Sequence, residues 1–372
     1  MRVVTIVGAR PQFVKAAPVS RALAAAGHTE TVIHTGQHYD DAMSAAFFRD
    51  LEMDPPALNL EVGSAPHGAM TGAMLRRLEP ALLDRQPDGV LVYGDTNSTL
   101  AGAVVAAKLV LADGRRPWLA HVEAGLRSFN RRMPEERNRV VADHLADLLL
   151  APTPAAMANL AREGLAARAE LVGDVMVDAH VSAVAHASSH LPAVAQGHGR
   201  YILLTLHRAE NVDHPQRLAA ILAGLAVRLP VIFPVHPRTR AALQRAGLEL
   251  PANVVAIEPV GYLEMVALEA AAEAIATDSG GVQKEAYLSG VPCITLRSET
   301  EWVETVDAGW NRVVDGDSTA LAATLADEGF MRRDRPRPAL FGDGHAAGRI
   351  VDALERHQAH DAGARDTQME TT

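Results

Sequence analysis

The sequence predicts an α/β protein built from two doubly wound parallel-sheet domains facing a cleft. Three observations carry this. Short, near-continuous apolar runs alternate with Ala-rich amphipathic stretches, the pattern of strands covered on both faces by crossover helices. Nearly every apolar run ends in a glycine or a polar residue, the edge at which such sheets bind ligands. The length of 372 residues suits two domains at roughly 150 residues each.

The first unit opens with a strand from Val3 to Val7, a turn at Gly8-Ala9-Arg10-Pro11 and an amphipathic helix from Phe13 to Ala26. Further strands are expected at Thr31–His34, Gly89–Tyr93, Leu119–Val122 and Leu148–Ala151, ending in Gly36-Gln37, Gly94-Asp95, Glu123-Ala124-Gly125 and the Pro152/Pro154 pair. The second half repeats the grammar. Tyr201–Leu206 leads to His207-Arg208, Val231–Val235 to His236-Pro237, Val254–Ile257 to Glu258-Pro259, and Ala274–Thr277 to Asp278-Ser279-Gly280-Gly281; Val291–Leu296 follows. The domains are expected at 1–172 and 173–357, with the last helix packing back on the first domain and a polar, disordered tail over 358–372.

Composition narrows the function. Hydrophobic residues make up 48% of the chain and charged residues 22%, enough for a sizeable core. A formal net charge of −10 argues against nucleic acid as the main partner. The single cysteine, Cys293, can form neither an internal disulfide nor a cysteine metal cage. No apolar run is long enough to span a membrane and none resembles a leader, so a cytoplasmic protein is expected. Lysine occurs only at Lys15, Lys108 and Lys284.

Motifs exclude several chemistries. There is no P-loop, no dinucleotide fingerprint after the first strand, no nucleophile elbow and no H-E-x-x-H. Four constellations remain. Asp278-Ser279-Gly280-Gly281-Val282-Gln283-Lys284-Glu285 joins a strand end to a helix start. Paired glycines and a helix N-terminus suit a diphosphate, and Glu285 suits the two hydroxyls of a ribose. Arg10 and Lys15 place two cations on the first turn and helix of the other domain. His207-Arg208 again fits phosphate contact. The fourth carries the chemistry: Asp95 and Glu123 end neighbouring strands, while Glu135, four residues before Arg139 on one helical face, opens a helix just beyond. Carboxylates that share a site drive their proton affinities apart and supply an acid and a base. Each feature also has a purely structural reading, as a helix cap or a surface ion pair.

These residues resemble the non-hydrolysing UDP-N-acetylglucosamine 2-epimerase family over about residues 1–355. The matching blocks are G-A-R-P-Q-F-V-K, T-G-Q-H, V-Y-G-D-T-N-S-T, H-V-E-A-G-L-R, P-E-E-R-N-R, H-R-A-E-N, P-V-H-P, D-S-G-G-V-Q-K-E-A and G-D-G, in family order and spacing. The resemblance implies the GT-B fold, two Rossmann-like halves, and a reaction without metal or nicotinamide. A proton leaves sugar carbon 2, UDP leaves carbon 1, and UDP adds back to the resulting 2-acetamidoglucal with a proton on the opposite face. Carried over by motif, Asp95, Glu123 and Glu135 are the acid–base carboxylates, supported by Lys15, Arg139 and His207. Arg10, His236, Ser279, Gly280, Gly281, Glu285 and Arg297 correspond to the UDP-binding set. A homodimer is the family expectation.

Three stretches depart from the form of many bacterial members: Asp95-Thr96-Asn97-Ser98-Thr99 for D-T-T-T-T, Gln283-Lys284-Glu285 for Q-E-E, and Glu299-Thr300-Glu301-Trp302-Val303-Glu304 for T-T-E-R-P-E. Asp40 and Ala73 stand where members activated by their own substrate carry other residues. The same variants resemble a branch that includes 2-epimerases of UDP-2,3-diacetamido-glucuronic acid. That substrate would need a cation near sugar carbon 6, which Arg127, Arg131 or Arg132 could supply. A hydrolysing relative, a GT-B glycosyltransferase and a plain sugar-nucleotide-binding protein are the other readings; the carboxylate cluster argues against the last two.

Overall fold

The structure, a computed structural model, describes residues 1–37 and 45–369. Asp40 lies outside the described residues. The chain divides into two compact units, Met1–Ala179 with Phe341–Thr372, and His180–Leu340. The change of unit thus falls inside the helix Val175–Ala187, not at 172/173, and the chain from Phe341 onward belongs to the first unit. The tail expected to be disordered from 358 is instead helical as far as Met369, within the helix Ala346–Met369.

The first unit holds a seven-stranded parallel sheet in the order β3-β2-β1-β4-β5-β6-β7. The strands are β1 (Arg2–Val7), β2 (Thr29–His34), β3 (Leu58–Asn59), β4 (Gly89–Tyr93), β5 (Trp118–Val122), β6 (Leu148–Ala151) and β7 (Ala169–Leu171). The second unit holds a six-stranded parallel sheet in the order β10-β9-β8-β11-β12-β13. It comprises β8 (Ile202–Thr205), β9 (Val231–Pro234), β10 (Val254–Ile257), β11 (Ala274–Thr277), β12 (Cys293–Thr295) and β13 (Asn311–Val313).

Burial on both faces explains why the strands read as unbroken apolar runs. Every residue of β4 and β5 is buried, as is every residue of β6, β8 and β11. In the second unit alternate residues divide between two cores: Ile202, Leu204 and Phe233 pack under Leu218, Leu222 and Leu321, while Tyr201, Leu203 and Ile232 pack under Leu268 and Ala286. This is the two-residue period of a strand with helices on each side. In the first unit Ile6, Val92, Leu119 and Leu149 meet Met74, Leu78, Ala103 and Ala142.

Both sheets reverse strand order once, between β1 and β4 and between β8 and β11. Such switch points splay the loops at the carboxyl ends of the strands and leave a ligand crevice. Arg10 and Asp95 follow β1 and β4; His207 and Ser279 follow β8 and β11.

Candidate functional site

In the first unit the loops after β1 and β4 are stitched by Gln12. Its Oε1 accepts from the amides of Gly8 (2.8 Å) and Ala9 (3.2 Å), and its Nε2 donates to the Tyr93 carbonyl (2.7 Å) and to Thr99 Oγ1 (3.1 Å). The β4 loop turns through Gly94 at φ +60°. A Cβ there would stand 3.2 Å from Glu123 Oε2 and 3.6 Å from Lys15 Nζ. Glycine therefore both makes the turn and lets two charged groups close over the backbone.

Those two groups form a buried ion pair, Lys15 Nζ with Glu123 Oε2. Beside it Arg139 pairs with Asp95 through one nitrogen and with Glu136 through the other (2.9 Å). Negative and positive charges thus alternate: Glu123, Lys15, Asp95, Arg139, Glu136. The Asp95 side chain keeps 32% of its surface exposed, so it forms the mouth of the cluster. Burial lifts its pKa above the usual aspartate value, with Glu123 adding to the effect, against the pull of Arg139 and Lys15. Burial works against the Lys15 charge, but Glu123 first, then Asp95 and Asp174, outweigh it and hold that pKa above the ordinary lysine value.

Asp95, Glu123, Lys15 and Arg139 are therefore brought together as expected. Glu135 is exposed in the first turn of the helix Pro134–Leu145 and joins no hydrogen bond or ion pair among the described residues. Its neighbour Glu136 is the buried one. It accepts from the amides of Ser128 and Phe129 (2.9 Å each) and from Ser128 Oγ (3.0 Å), tying the preceding loop to Arg139. Arg10 begins the helix Arg10–Ala25, with its guanidinium 5.0 Å over the Phe47 ring. Arg127 is committed to Asp143 and Glu163 (2.7 Å each) and only 2% of its side chain is exposed, so it is unavailable to a sugar carboxylate; Arg131 and Arg132 are exposed.

In the second unit Ser279 caps the helix Gly280–Ser289, its Oγ accepting from the Val282 amide (3.5 Å). A Cβ on Gly280 would meet the Glu301 carboxylate and oblige it to move. Glu301 is held by the buried Arg297 (2.8 Å), whose Nε also lies 3.7 Å from Glu210. Burial disfavours the Glu301 charge, but Arg297 outweighs it and keeps the carboxyl below its usual pKa, helped by Arg208. Trp302 Nε1 donates to the Gly280 carbonyl (2.8 Å), and the Lys284 ammonium sits 4.0 Å from the centre of the Trp302 ring. Gly281 is exposed; Glu285 is half-buried, its carboxylate about one van der Waals contact (4.0 Å) from a Cβ built on Gly281.

The loop after β8 hangs on Asp278, which has no exposed surface. Its carboxylate accepts from the amides of His207 (3.1 Å) and Arg208 (2.9 Å) and from Asn211 Nδ2 (3.0 Å). The His207 ring lies 5.8 Å from that of His236, whose Nδ1 caps the helix Pro237–Ala246 by accepting from the Arg238 amide (3.2 Å). Burial depresses the His207 pKa; Asp278 opposes this, and Arg208, His236 and Arg238 reinforce it.

Gln12, Glu136, Asp278 and Glu301 hold these sites together, in part through partners remote in sequence. Three had a local signal: Gln12 at the third helical position after Ala9, Glu136 three residues before Arg139, and Glu301 four residues after Arg297.

Two parallel-sheet α/β units, each with charged and glycine-bearing loops at its switch point, place the chain in the GT-B class. A calicheamicin glycosyltransferase structure, 17% identical with a TM-score of 0.58 over 97% of this chain and 99% of that one, shares this fold. The chain belongs to the UDP-N-acetylglucosamine 2-epimerase family, whose model matches residues 21–355. A UDP-N-acetylglucosamine 2-epimerase homolog of Methanococcus maripaludis is 47% identical, covering 95% of this chain and 99% of its own. A UDP-2,3-diacetamido-2,3-dideoxy-D-glucuronate 2-epimerase of Pseudomonas aeruginosa is 45% identical, covering 96% and 100%. The crystal structure of the Methanocaldococcus jannaschii UDP-GlcNAc 2-epimerase in complex with UDP-GlcNAc and UDP is 42% identical, with a TM-score of 0.85 over 96% of this chain and 100% of that one. No helix among the described residues is long and apolar enough to cross a membrane.

Proposed function

We propose that the chain interconverts UDP-N-acetylglucosamine and UDP-N-acetylmannosamine without hydrolysing them. The observation that carries the reading is the pair of carboxylates, Asp95 and Glu123, facing across the Gly94 turn with a cation against each. Inversion at a carbon needs a proton removed from one face and another delivered to the opposite face. Two carboxyl groups in unlike settings are suited to those roles: Asp95, lifted by burial, holds a proton more readily, whereas Glu123 lies against the Lys15 ammonium. Glu135, one turn from Arg139 on the same helical face, is the third candidate.

The proton on sugar carbon 2 is weakly acidic, so the bond from carbon 1 to UDP must break as it leaves. Its electron pair forms the carbon–carbon double bond of 2-acetamidoglucal, and UDP departs with the bonding pair from carbon 1. Re-addition reverses both changes, so there is no net oxidation and no call for nicotinamide. Departing negative charge is stabilised by donors already in place. In this reading the amides at Ser279, Gly280 and Gly281, with Arg10, His207, His236 and Arg297, serve the diphosphate, and Glu285 accepts from the ribose hydroxyls. A cytoplasmic homodimer completes the proposal.

The same chemistry on UDP-2,3-diacetamido-2,3-dideoxy-glucuronic acid is the second reading. The relative 45% identical and named for that substrate favours it. One assay tests both: incubation of each UDP sugar in deuterated water, followed by proton NMR. Deuterium at carbon 2 with a product of inverted configuration and no free sugar supports the reaction and selects the substrate. Release of free sugar, or exchange with neither, defeats it.

A further inference from the structure

Behind the acid–base cluster lies a second buried ion pair. Glu123 has φ +71°, the left-handed region that a residue with a side chain keeps only when its surroundings hold it there. Its own amide and that of Ala124 donate to the Leu150 carbonyl (3.1 and 3.2 Å), and the residues on either side are braced by Asp143, from the helix Pro134–Leu145, a residue with no exposed surface. One carboxylate oxygen lies 2.7 Å from His121 Nδ1. The other accepts from the Gly125 amide (3.1 Å) and pairs with Arg127 (2.7 Å). The donors thus bracket Glu123 in sequence, one before it and two after.

His121 reaches further. Its Nε2 lies 2.7 Å from the Gly94 carbonyl oxygen, on the turn that carries Asp95. Beyond the backbone bond from the Gly94 amide to the Val122 carbonyl (3.1 Å), this contact joins the two turns again from beneath. Each ring nitrogen of His121 thus faces an acceptor, a carboxylate on one side and a carbonyl on the other, and the ring is fully buried against Asp143. Burial opposes the Asp143 charge, but His121 first, then Arg127, outweigh it and hold its pKa below the usual aspartate value.

We propose that Asp143 and His121 are positioning residues for the epimerisation: through their buried hydrogen bonds they fix the Glu123 and Asp95 turns relative to each other, so that two carboxylates address opposite faces of one sugar ring. The proposal rests on the reaction inferred above. Neither residue touches the sugar in this scheme, so their loss acts on turnover and leaves nucleotide affinity unchanged, because all the nucleotide groups named above except Arg10 belong to the second unit.

The test uses the full chain. Asp143→Ala removes all three anchors; Asp143→Asn keeps an acceptor for the Gly125 amide and a donor for a neutral His121 ring. His121→Asn keeps the bond to Asp143 and loses that to Gly94. Asp143→Ala and His121→Asn are expected to lower carbon-2 deuterium exchange at saturating substrate by about 100-fold, as misplacement of about 1 Å does, with KM and the Kd for UDP within about twofold of wild type. Asp143→Asn should lose less than about tenfold, a rescue that bulk packing alone would not give. Full activity in Asp143→Ala, or equal losses in turnover and UDP affinity, overturns the proposal.

Nitrogen-15 NMR of wild-type His121 supplies a readout independent of any variant's folding. Both ring nitrogens should be hydrogen-bonded, Nδ1 to Asp143 and Nε2 to the Gly94 carbonyl. A ring nitrogen open to solvent overturns the proposal. A wild-type chain inactive on both UDP sugars but with both ring bonds present defeats the reaction, and with it the positioning role, while leaving the contacts standing.

Discussion

Replacing Lys15 with methionine removes one charge from the first unit while keeping most of the side chain's volume. Lys15 and Glu123 have 16% and 6% of their side-chain surfaces exposed, so water replaces little of the lost partner. The remaining Glu123 carboxylate would stand beside Asp95 without its contact to Lys15. Deleting one member of a buried pair costs about 3–5 kcal/mol, because the survivor is left desolvated and unpaired. At about 2 kcal/mol per molar urea, the midpoint for the first unit should fall by roughly 1.5–2.5 M. Of the three tryptophans, Trp118 alone belongs to that unit, at the start of β5. With Trp302 and Trp310 changed to phenylalanine in the background, its fluorescence reports the unit separately. Adding Glu123→Gln to Lys15→Met should recover about 2 kcal/mol, the signature of a pairwise interaction. Unchanged stability in Lys15→Met, or a double variant no better than the sum of the singles, would refute the claim that these charges depend on each other.

Two further outcomes follow from the same geometry. Gly94→Ala should cost about 1–2 kcal/mol for a side chain in the left-handed region. Its Cβ, 3.2 Å from Glu123 Oε2, would also displace that carboxylate by a few tenths of an ångström, lowering deuterium exchange by about tenfold; thermal denaturation and the exchange assay read the two effects. For His207, whose folded pKa lies below its ordinary value, the native state prefers the neutral ring. The associated stability is therefore present above about pH 6.5 and is lost as pH falls through the lower native value. Urea midpoints of the second unit should drop over that acid range, and His207→Gln should flatten the profile.

Four strands, β4, β6, β10 and β11, have the bounds read from the sequence residue for residue. β4, β6 and β11 are buried apolar runs with a turn at the end, so local pattern and tertiary position coincide; β10 is a half-buried edge strand whose four consecutive apolar residues still mark it. The strands that gave no signal, β3, β7 and β13, are edge strands of two or three residues. They pair on one side only, their residues are largely exposed or half-buried, and no alternation can register over so short a span. The acid–base group shows the same division. Asp95 and Glu123 were legible as unusual polar residues at strand ends. The motif reading took Glu135, but its neighbour Glu136 is the one turned inward, held there by the Ser128 and Phe129 amides and by Arg139. Asp143 is a single acidic residue in a helical stretch, and its importance is visible only when His121, Gly125 and Arg127 are seen to converge on it.

The helix Ala346–Met369 completes the first unit although the whole second unit intervenes in the chain. It docks through His28 to Glu355 (2.9 Å) and through Trp118 to Gln358 (2.7 Å). A ribosome releases that helix only after residues 180–340 have emerged. The contiguous unit can therefore finish folding on the ribosome, while the earlier-made one waits for its last piece, reversing the usual order in which amino-terminal domains fold first. During that interval the surface around the helix Arg10–Ala25, His28 and Trp118 of the nascent unit is uncovered.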